Sequence, residues 1–225
     1  MSWPRLVAGV SLLATGCFIA PERPARGDGG DGGSGDAAKE CPLVAPVFQD
    51  YNTPDQLDPC GLNGEQGANM VATRSFGAVS FPLGPSQNDT CIAGIPLDPT
   101  VGAFVVIAEY QPVGAGDEMY LRLEHSAAFV EVVLHNSILE LTFSGTPVGT
   151  PITYDGTQKW WRLVRGATQN SVAGQYSADG EVWKSLGEKT DPSIDNTSGL
   201  LTFGATTDDF LNNRLFSFDS FNTCP

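Results

Sequence analysis

From Cys41 onward the apolar side chains of this chain recur at every second position, and that period most constrains its fold. Successive side chains of a strand point to opposite faces, whereas a helix needs apolar spacings of three and four. Alternating runs occupy 104–110, 119–124, 129–134, 138–143, 159–165, 171–176, 182–186, 199–204 and 214–221. The segment 47–52 is a further candidate, as a first strand pairing beside the last. Clusters of Gly, Pro, Asn and Asp separate the runs at about the spacing of a sandwich. No stretch sustains helical spacing over a helix length. The expected fold class is therefore all-β, a two-sheet antiparallel β-sandwich over residues 41–225.

The first forty residues read differently. Arg5, the apolar run 6–13 and the small residues Ala14-Thr15-Gly16 before Cys17 form a secretory signal peptide over 1–16. That run is too short to span a bilayer, which takes about 20 residues. Ala14-Thr-Gly-Cys17 resembles the lipobox of bacterial lipoproteins, with Ala14 where Leu is usual. The resemblance implies acylation of Cys17; the alternative is an ordinary cleaved signal with an incidental cysteine. Phe18 stands where an Asp commonly retains such proteins in the inner membrane. The expected location is the cell envelope, lipid-anchored, at the outer membrane or cell surface. Residues 17–40 then form a lipidated tether whose Gly/Asp-rich centre has no side chain able to pack.

The chain has five cysteines, and assigning Cys17 to lipid leaves Cys41, Cys60, Cys91 and Cys224. Four cysteines in an exported domain imply two disulfides with three possible connectivities. Cys41–Cys224 and Cys60–Cys91 are favoured, because sandwich termini often lie close together and the inner pair closes a turn-rich loop. With no Cys-x-x-Cys and only His125 and His135, zinc and redox chemistry have little basis. The formal net charge of −14 repels phosphate backbones and anionic lipid. Nucleic acid is therefore excluded as a partner, and membrane contact is expected through the lipid anchor alone.

Three stretches carry a resemblance to a fold family. They are the aromatic-basic strand Trp160-Trp-Arg-Leu-Val-Arg165, the segment Gln175-Tyr-Ser-Ala-Asp-Gly-Glu-Val-Trp183, and the closing strands 199–204 and 216–221. In the second, Asp179-Gly180 supplies the positive φ of a tight hairpin, and Trp183 can fold back onto the preceding strand. Together they resemble the concanavalin-like jelly-roll superfamily, which includes laminin-G-type modules and bacterial lectin-like domains. The resemblance implies a lectin-like sandwich, and glycoside hydrolases also occur on that fold. Many relatives bind calcium through loop carboxylates, for which Asp208, Asp209 or Asp89 would serve here; no cofactor is otherwise expected.

A two-carboxylate hydrolase requires a pair about 5–5.5 Å apart for retention. Glu118 and Glu124 are too far apart along one strand, and Glu131 and Glu140 fall on separate strands. No Ser or Cys nucleophile motif surrounds the histidines, so a non-enzyme is expected. For binding, alternation places Trp160, Arg162 and Val164 on one face of their strand. It turns Tyr120, Arg122 and Glu124 outward from theirs. Were these sets to share one concave sheet, Trp160 and Tyr120 would offer flat faces to sugar rings. Arg122, Arg162 and Glu124 would then bond their hydroxyls. The same residues are equally consistent with one core tryptophan beside a solvated face. The leading expectation is non-catalytic glycan or polysaccharide binding. The alternative is a structural or adhesive surface module that contacts protein or envelope components, and behind it a glycoside hydrolase whose carboxylate pair is assembled from different strands.

Overall fold

A computed structural model of the protein describes residues 73–75, 78–92, 97, 102–109, 116–125, 128–208 and 213–221. The calls on the signal peptide, Cys17, the tether, the 47–52 strand and Cys41, Cys60 and Cys224 lie outside these residues. Within them the chain forms thirteen strands and no helix. They are β1 (Thr73–Ser75), β2 (Ala78–Leu83), β3 (Asn88–Ile92), β4 (Ala103–Glu109), β5 (Glu118–His125), β6 (Ala128–His135) and β7 (Ile138–Phe143). They continue as β8 (Thr146–Thr153), β9 (Trp160–Arg165), β10 (Ser171–Ser177), β11 (Lys184–Thr190), β12 (Leu200–Thr206) and β13 (Arg214–Phe221). One sheet has seven strands in the order β1-β2-β13-β4-β9-β10-β11, and the other six in the order β3-β12-β5-β6-β7-β8. Every pairing is antiparallel. The all-β, two-sheet architecture read from the period is the architecture found.

Alternation assigns the inner faces. Val79, Phe81, Leu83, Trp161, Leu163, Phe216 and Phe218 of the seven-stranded sheet are buried against Met119, Leu121, Leu123, Val132, Leu134, Leu201 and Phe203 of the six-stranded sheet. Each such side chain contributes about 1.5–3 kcal/mol by leaving water. Phe203 meets Phe81 edge-on at 6.4 Å and Phe218 at 5.1 Å, so ring contacts join the two layers. Trp161 is fully buried and donates its indole N–H to the Gln158 carbonyl at 2.7 Å. Along one side the sheets close directly upon each other. A Cβ on Gly149 would lie 2.2 Å from the Leu186 carbonyl oxygen, and one on Gly187 would lie 2.7 Å from that of Val148. Only glycine permits this approach between β8 and β11.

Several strands depart from the sequence reading. The stretch after β7, expected to be a Gly/Pro-rich turn, is strand β8. Pro147 and Pro151 are compatible with it because β8 is an edge strand, where one row of N–H groups has no ladder partner. Strand β11 begins at Lys184 rather than 182, after a six-residue connection from Ser177. Gly180 has the expected positive φ of 77°, but in that longer loop rather than in a two-residue turn. The described neighbours of the last strand are β2 and β4. Two-residue turns occur instead at Asn136-Ser137 (φ 48° and 60°) and at Ser144-Gly145 (φ 47° and 78°).

Candidate functional site

The five residues expected to line one groove stand on two opposite surfaces. Trp160 and Arg162 lie on β9 of the seven-stranded sheet, outward because Trp161 and Leu163 fill the core. Tyr120, Arg122 and Glu124 lie on β5 of the six-stranded sheet, outward because Met119, Leu121 and Leu123 fill the core. Packed sheets stand about 10 Å apart, so the hydrophobic interior separates the two sets. The cause is connectivity: the chain changes sheet between β4 and β5 and returns between β8 and β9.

On the six-stranded sheet the Tyr120–Arg122–Glu124 row is knitted together. Register places Arg122 opposite Glu131, and Glu131 opposite Thr142. Arg122 donates Nε to Glu131 Oε2 at 2.8 Å and pairs through Nη2 at 2.7 Å, while Thr142 Oγ1 donates to Glu131 Oε1 at 2.9 Å. Glu124 is a weaker partner at 3.3 Å. The guanidinium also lies 4.3 Å from the ring centroids of both Tyr120 and Phe129. Burial works against the Arg122 charge, but Glu131, Tyr120 and Glu124 together outweigh it and the pKa is raised. Tyr120, expected as an exposed platform, is 5% exposed, and its hydroxyl bonds to Thr90 Oγ1. It lies above Gly204, whose added Cβ would stand 3.0 Å from that hydroxyl. Glu131 and Glu140 are brought onto one face, on neighbouring strands, with Glu140 bonded to His135 at 2.8 Å. Burial, and then the Glu131 charge, push the Glu118 carboxyl up.

On the seven-stranded sheet Arg162 donates Nε to Gln175 Oε1 at 2.7 Å, and its guanidinium lies 3.9 Å from the Trp183 ring centroid. Trp183 therefore does fold back, reaching past β10 to a residue of β9. Trp160 is half-buried on the same face, opposite Val106.

A concave feature lies elsewhere, at one end of the sandwich. A cavity of about 370 Å³ is lined by Asp155, Thr157 and Gln158 from the β8–β9 connection, and by Tyr176, Ser177, Asp179, Val182 and Lys184 from β10, β11 and their loop. Both carboxylates are fixed by the turns that carry them. Asp155 Oδ1 accepts from the Thr157 hydroxyl at 2.6 Å and the Thr157 N–H at 3.0 Å. Asp179 Oδ1 accepts from the N–H groups of Val182 (2.9 Å) and Glu181 (2.8 Å) and from the Ser177 hydroxyl (2.8 Å). Donors aimed at a carboxylate favour its ionised form. The Thr157 hydroxyl and then its N–H lower the Asp155 pKa, and the Val182 and Glu181 N–H groups bring Asp179 down to about 2. The hydrogen bonds that hold each carboxylate converge on its Oδ1. The Lys184 ammonium stands 5.9 Å from the Tyr176 ring centroid. Sequence reasoning passed over this cleft. Its signal was the pair of Asp-Gly steps, Asp155-Gly156 and Asp179-Gly180, whose glycines have φ of 87° and 77°.

The remaining expected site residues are scattered. Cys91 is fully buried on β3. Asp89 is 1% exposed on β3, Asp208 is exposed beyond β12, and Asp209 lies outside the described residues. Among the described residues no group of three or more His, Cys, Asp or Glu is placed to hold a metal ion.

No family model matches the chain, and no curated protein matches it. Solved structures align with part of the chain. A mutant of the GH43 protein BlXynB from Bacillus licheniformis aligns at TM-score 0.49 and 11% identity, over 77% of this chain and 38% of that one. Peanut lectin, in complex with a nine-residue peptide, aligns at 0.46 and 10%, over 78% and 96%. The CBM2 module of the evolved Dit of Lactobacillus casei BL23 phage J-1 aligns at 0.41 and 9%, over 78% and 92%. This chain covers 38%, 34% and 27% of three GH43-containing chains with which it aligns.

Proposed function

We propose that the sandwich is a lectin-like module that binds glycan or polysaccharide without cleaving it, and that the ligand sits in the end cleft. The observation that carries this reading is the cleft's lining. Two carboxylates held ionised, each pinned through Oδ1, stand with the Lys184 ammonium and the Tyr176 ring around one cavity of about 370 Å³. A sugar presents vicinal hydroxyls that donate to carboxylate oxygens and accept from an ammonium, with an apolar C–H face that packs on an aromatic ring. Pinning the carboxylates through backbone donors limits the ordering cost of binding. On the six-stranded sheet Glu131 and Glu140 have other employment, since Glu131 holds Arg122 and Thr142, and Glu140 holds His135.

The address is proposed alongside. Cys17 is the lipidated N-terminus of the mature chain, residues 17–40 are its tether, and the module is displayed on the cell envelope. Mass spectrometry of the exported protein tests this: an N-terminal acylated Cys17 supports it, and a free Cys17 thiol or a retained signal refutes it.

The binding test is a glycan and polysaccharide panel read with wild-type protein, Asp155→Asn and Tyr176→Leu. The amide introduced by Asp155→Asn keeps an acceptor for Thr157 while replacing the other carboxylate oxygen by an NH2 group. Hydrogen bonds to charged groups contribute about 1.5–3 kcal/mol, so a loss of roughly tenfold or more is expected at unchanged melting temperature. Binding that survives both substitutions removes the ligand from the cleft. Release of new reducing ends by the wild-type protein would replace the non-catalytic reading with a hydrolytic one.

A further inference from the structure

The described arginine side chains divide by what they hold. Arg122 pairs with Glu131 and Glu124, Arg214 pairs with Asp117 at 2.8 Å, and Arg165 donates Nε to the Leu97 carbonyl at 2.8 Å. Arg162 differs. Its Nε donates to Gln175 Oε1, its guanidinium rests on Trp183, and no carboxylate among the described residues pairs with it. A guanidinium carries five N–H donors in a fixed fork. With Nε committed, the four N–H groups of Nη1 and Nη2 have no protein acceptor among the described residues. Two features set the fork's direction: Gln175 lies directly opposite Arg162 in the ladder, and Trp183 backs the plane from the β10–β11 loop. Partial burial without a compensating anion brings the Arg162 pKa down to about 10.

We propose that Arg162, oriented by Gln175 and Trp183 and flanked by Trp160, forms a second binding site on the outer face of the seven-stranded sheet, one that takes the carboxylate of an acidic sugar such as a uronic acid. The paired Nη donors match the two oxygens of a carboxylate, the geometry in which arginine binds most specifically. Trp160 is two residues away on the same face of β9, the spacing at which side chains stand side by side, so a ring bearing that carboxylate meets an aromatic neighbour. The net charge of −14 opposes long-range attraction of polyanions and favours a singly charged ring held at short range. The site is separate from the end cleft: none of Trp160, Arg162, Gln175 or Trp183 lines that cavity.

The test is NMR titration of the full mature chain, following the Trp183 indole N–H, with sodium glucuronate, glucose and sodium acetate. Glucuronate should shift the signal saturably, glucose should leave it in place, and acetate should bind at least several-fold more weakly than glucuronate. Arg162→Lys keeps the charge but loses the fork, and should weaken glucuronate binding roughly tenfold or more. Gln175→Leu, which releases Nε without touching the charge, should weaken it several-fold and serves if Arg162→Lys does not fold. Asp155→Asn alters the cleft alone and should leave glucuronate binding unchanged, so failure of the cleft reading and failure of this one are distinguishable. Equal response to glucose and glucuronate, equal affinity for acetate, no response to glucuronate up to its solubility, or wild-type affinity in the folded arginine or glutamine variant overturns the proposal.

Discussion

Glu131→Ala should destabilise the sandwich strongly while leaving cleft binding intact. The Glu131 side chain is 7% exposed and accepts from Arg122 Nε and Nη2 and from Thr142 Oγ1. Removing one partner of a buried ion pair costs about 3–5 kcal/mol, because the other charge is left uncompensated. Arg122 is 22% exposed and would retain Glu124 at 3.3 Å, which reduces that figure. The orphaned Thr142 hydroxyl adds about 1 kcal/mol. The expected net loss is about 2–4 kcal/mol, or roughly 5–15 °C in Tm for a domain of this size. Arg122→Met should lose a similar amount by stranding the Glu131 carboxylate. The double variant Arg122→Met/Glu131→Leu should recover most of either loss, since apolar replacements of buried pairs are often neutral or stabilising. Urea unfolding of wild type, Arg122→Met, Glu131→Leu and that double variant gives a coupling energy, expected above about 1.5 kcal/mol. Single losses below about 0.5 kcal/mol that simply add would show an ordinary solvated row and refute the reasoning.

Other perturbations probe different contacts. Gly174→Ala would place a Cβ 2.6 Å from Leu141 Cδ1 and 3.0 Å from Val132 Cγ2 of the facing sheet, and calorimetry should show a loss of about 1–3 kcal/mol from overpacking. Gly149→Ala should lose more, because its φ is +83° and the obstruction, 2.2 Å away, is the Leu186 carbonyl oxygen rather than a side chain. Since Asp179 titrates at about 2 against an ordinary value of 3.8, its contribution to stability is present above 3.8 and lost as pH falls toward 2. Ligand affinity at the cleft should accordingly stay flat from neutrality to about pH 4, and a decline nearer pH 6 would assign binding to another group. Glu118 has the opposite sign. Its raised pKa penalises the folded state as pH rises through the folded value, so Glu118→Gln should stabilise at pH 7 and lose that advantage below 4.5, where both states are protonated.

Seven strands read correctly in outline, β4, β5, β6, β7, β9, β10 and β12, turn mostly large apolar side chains inward at alternate positions, with Gly174 of β10 between Val172 and Tyr176 as an exception. β13 was legible for the same reason, through Phe216 and Phe218. Of the strands missed, β8 and β3 lacked that signal, whereas β2 carries it in Val79, Phe81 and Leu83 but is interrupted by a proline. β8 reads Thr-Pro-Val-Gly-Thr-Pro-Ile-Thr, a composition of turns, and is a strand because β7 offers it a ladder. β2 contains Pro82, which lies beyond Ala78–Ser80, the residues that β1 pairs. β3 alternates small polar residues around Cys91, so its two faces differ little in hydropathy.

The division of the expected groove follows from what a period of two can encode. Alternation distinguishes the inner from the outer face of a strand, and it did so for all five residues: Trp160 and Arg162 are outside Trp161, and Tyr120, Arg122 and Glu124 are outside Leu121 and Leu123. It does not encode which sheet a strand joins. That choice is made by partners distant in sequence, β4 for β9 and β12 for β5, through registers such as Val105↔Trp161 and Phe203↔Leu121. In a two-layer sandwich two outer faces point in opposite directions, so outward residues share a surface only if their strands share a sheet. The end cleft escapes this constraint. Asp155 and Asp179 sit in connections at one end of the sandwich, brought together because β9 and β10 are ladder neighbours and each is flanked by one of these loops. Loops at a common end meet whichever face their strands present, so the two Asp-Gly steps flanking a hairpin-connected pair were a better local pointer to a shared site than any alternation of aromatic residues.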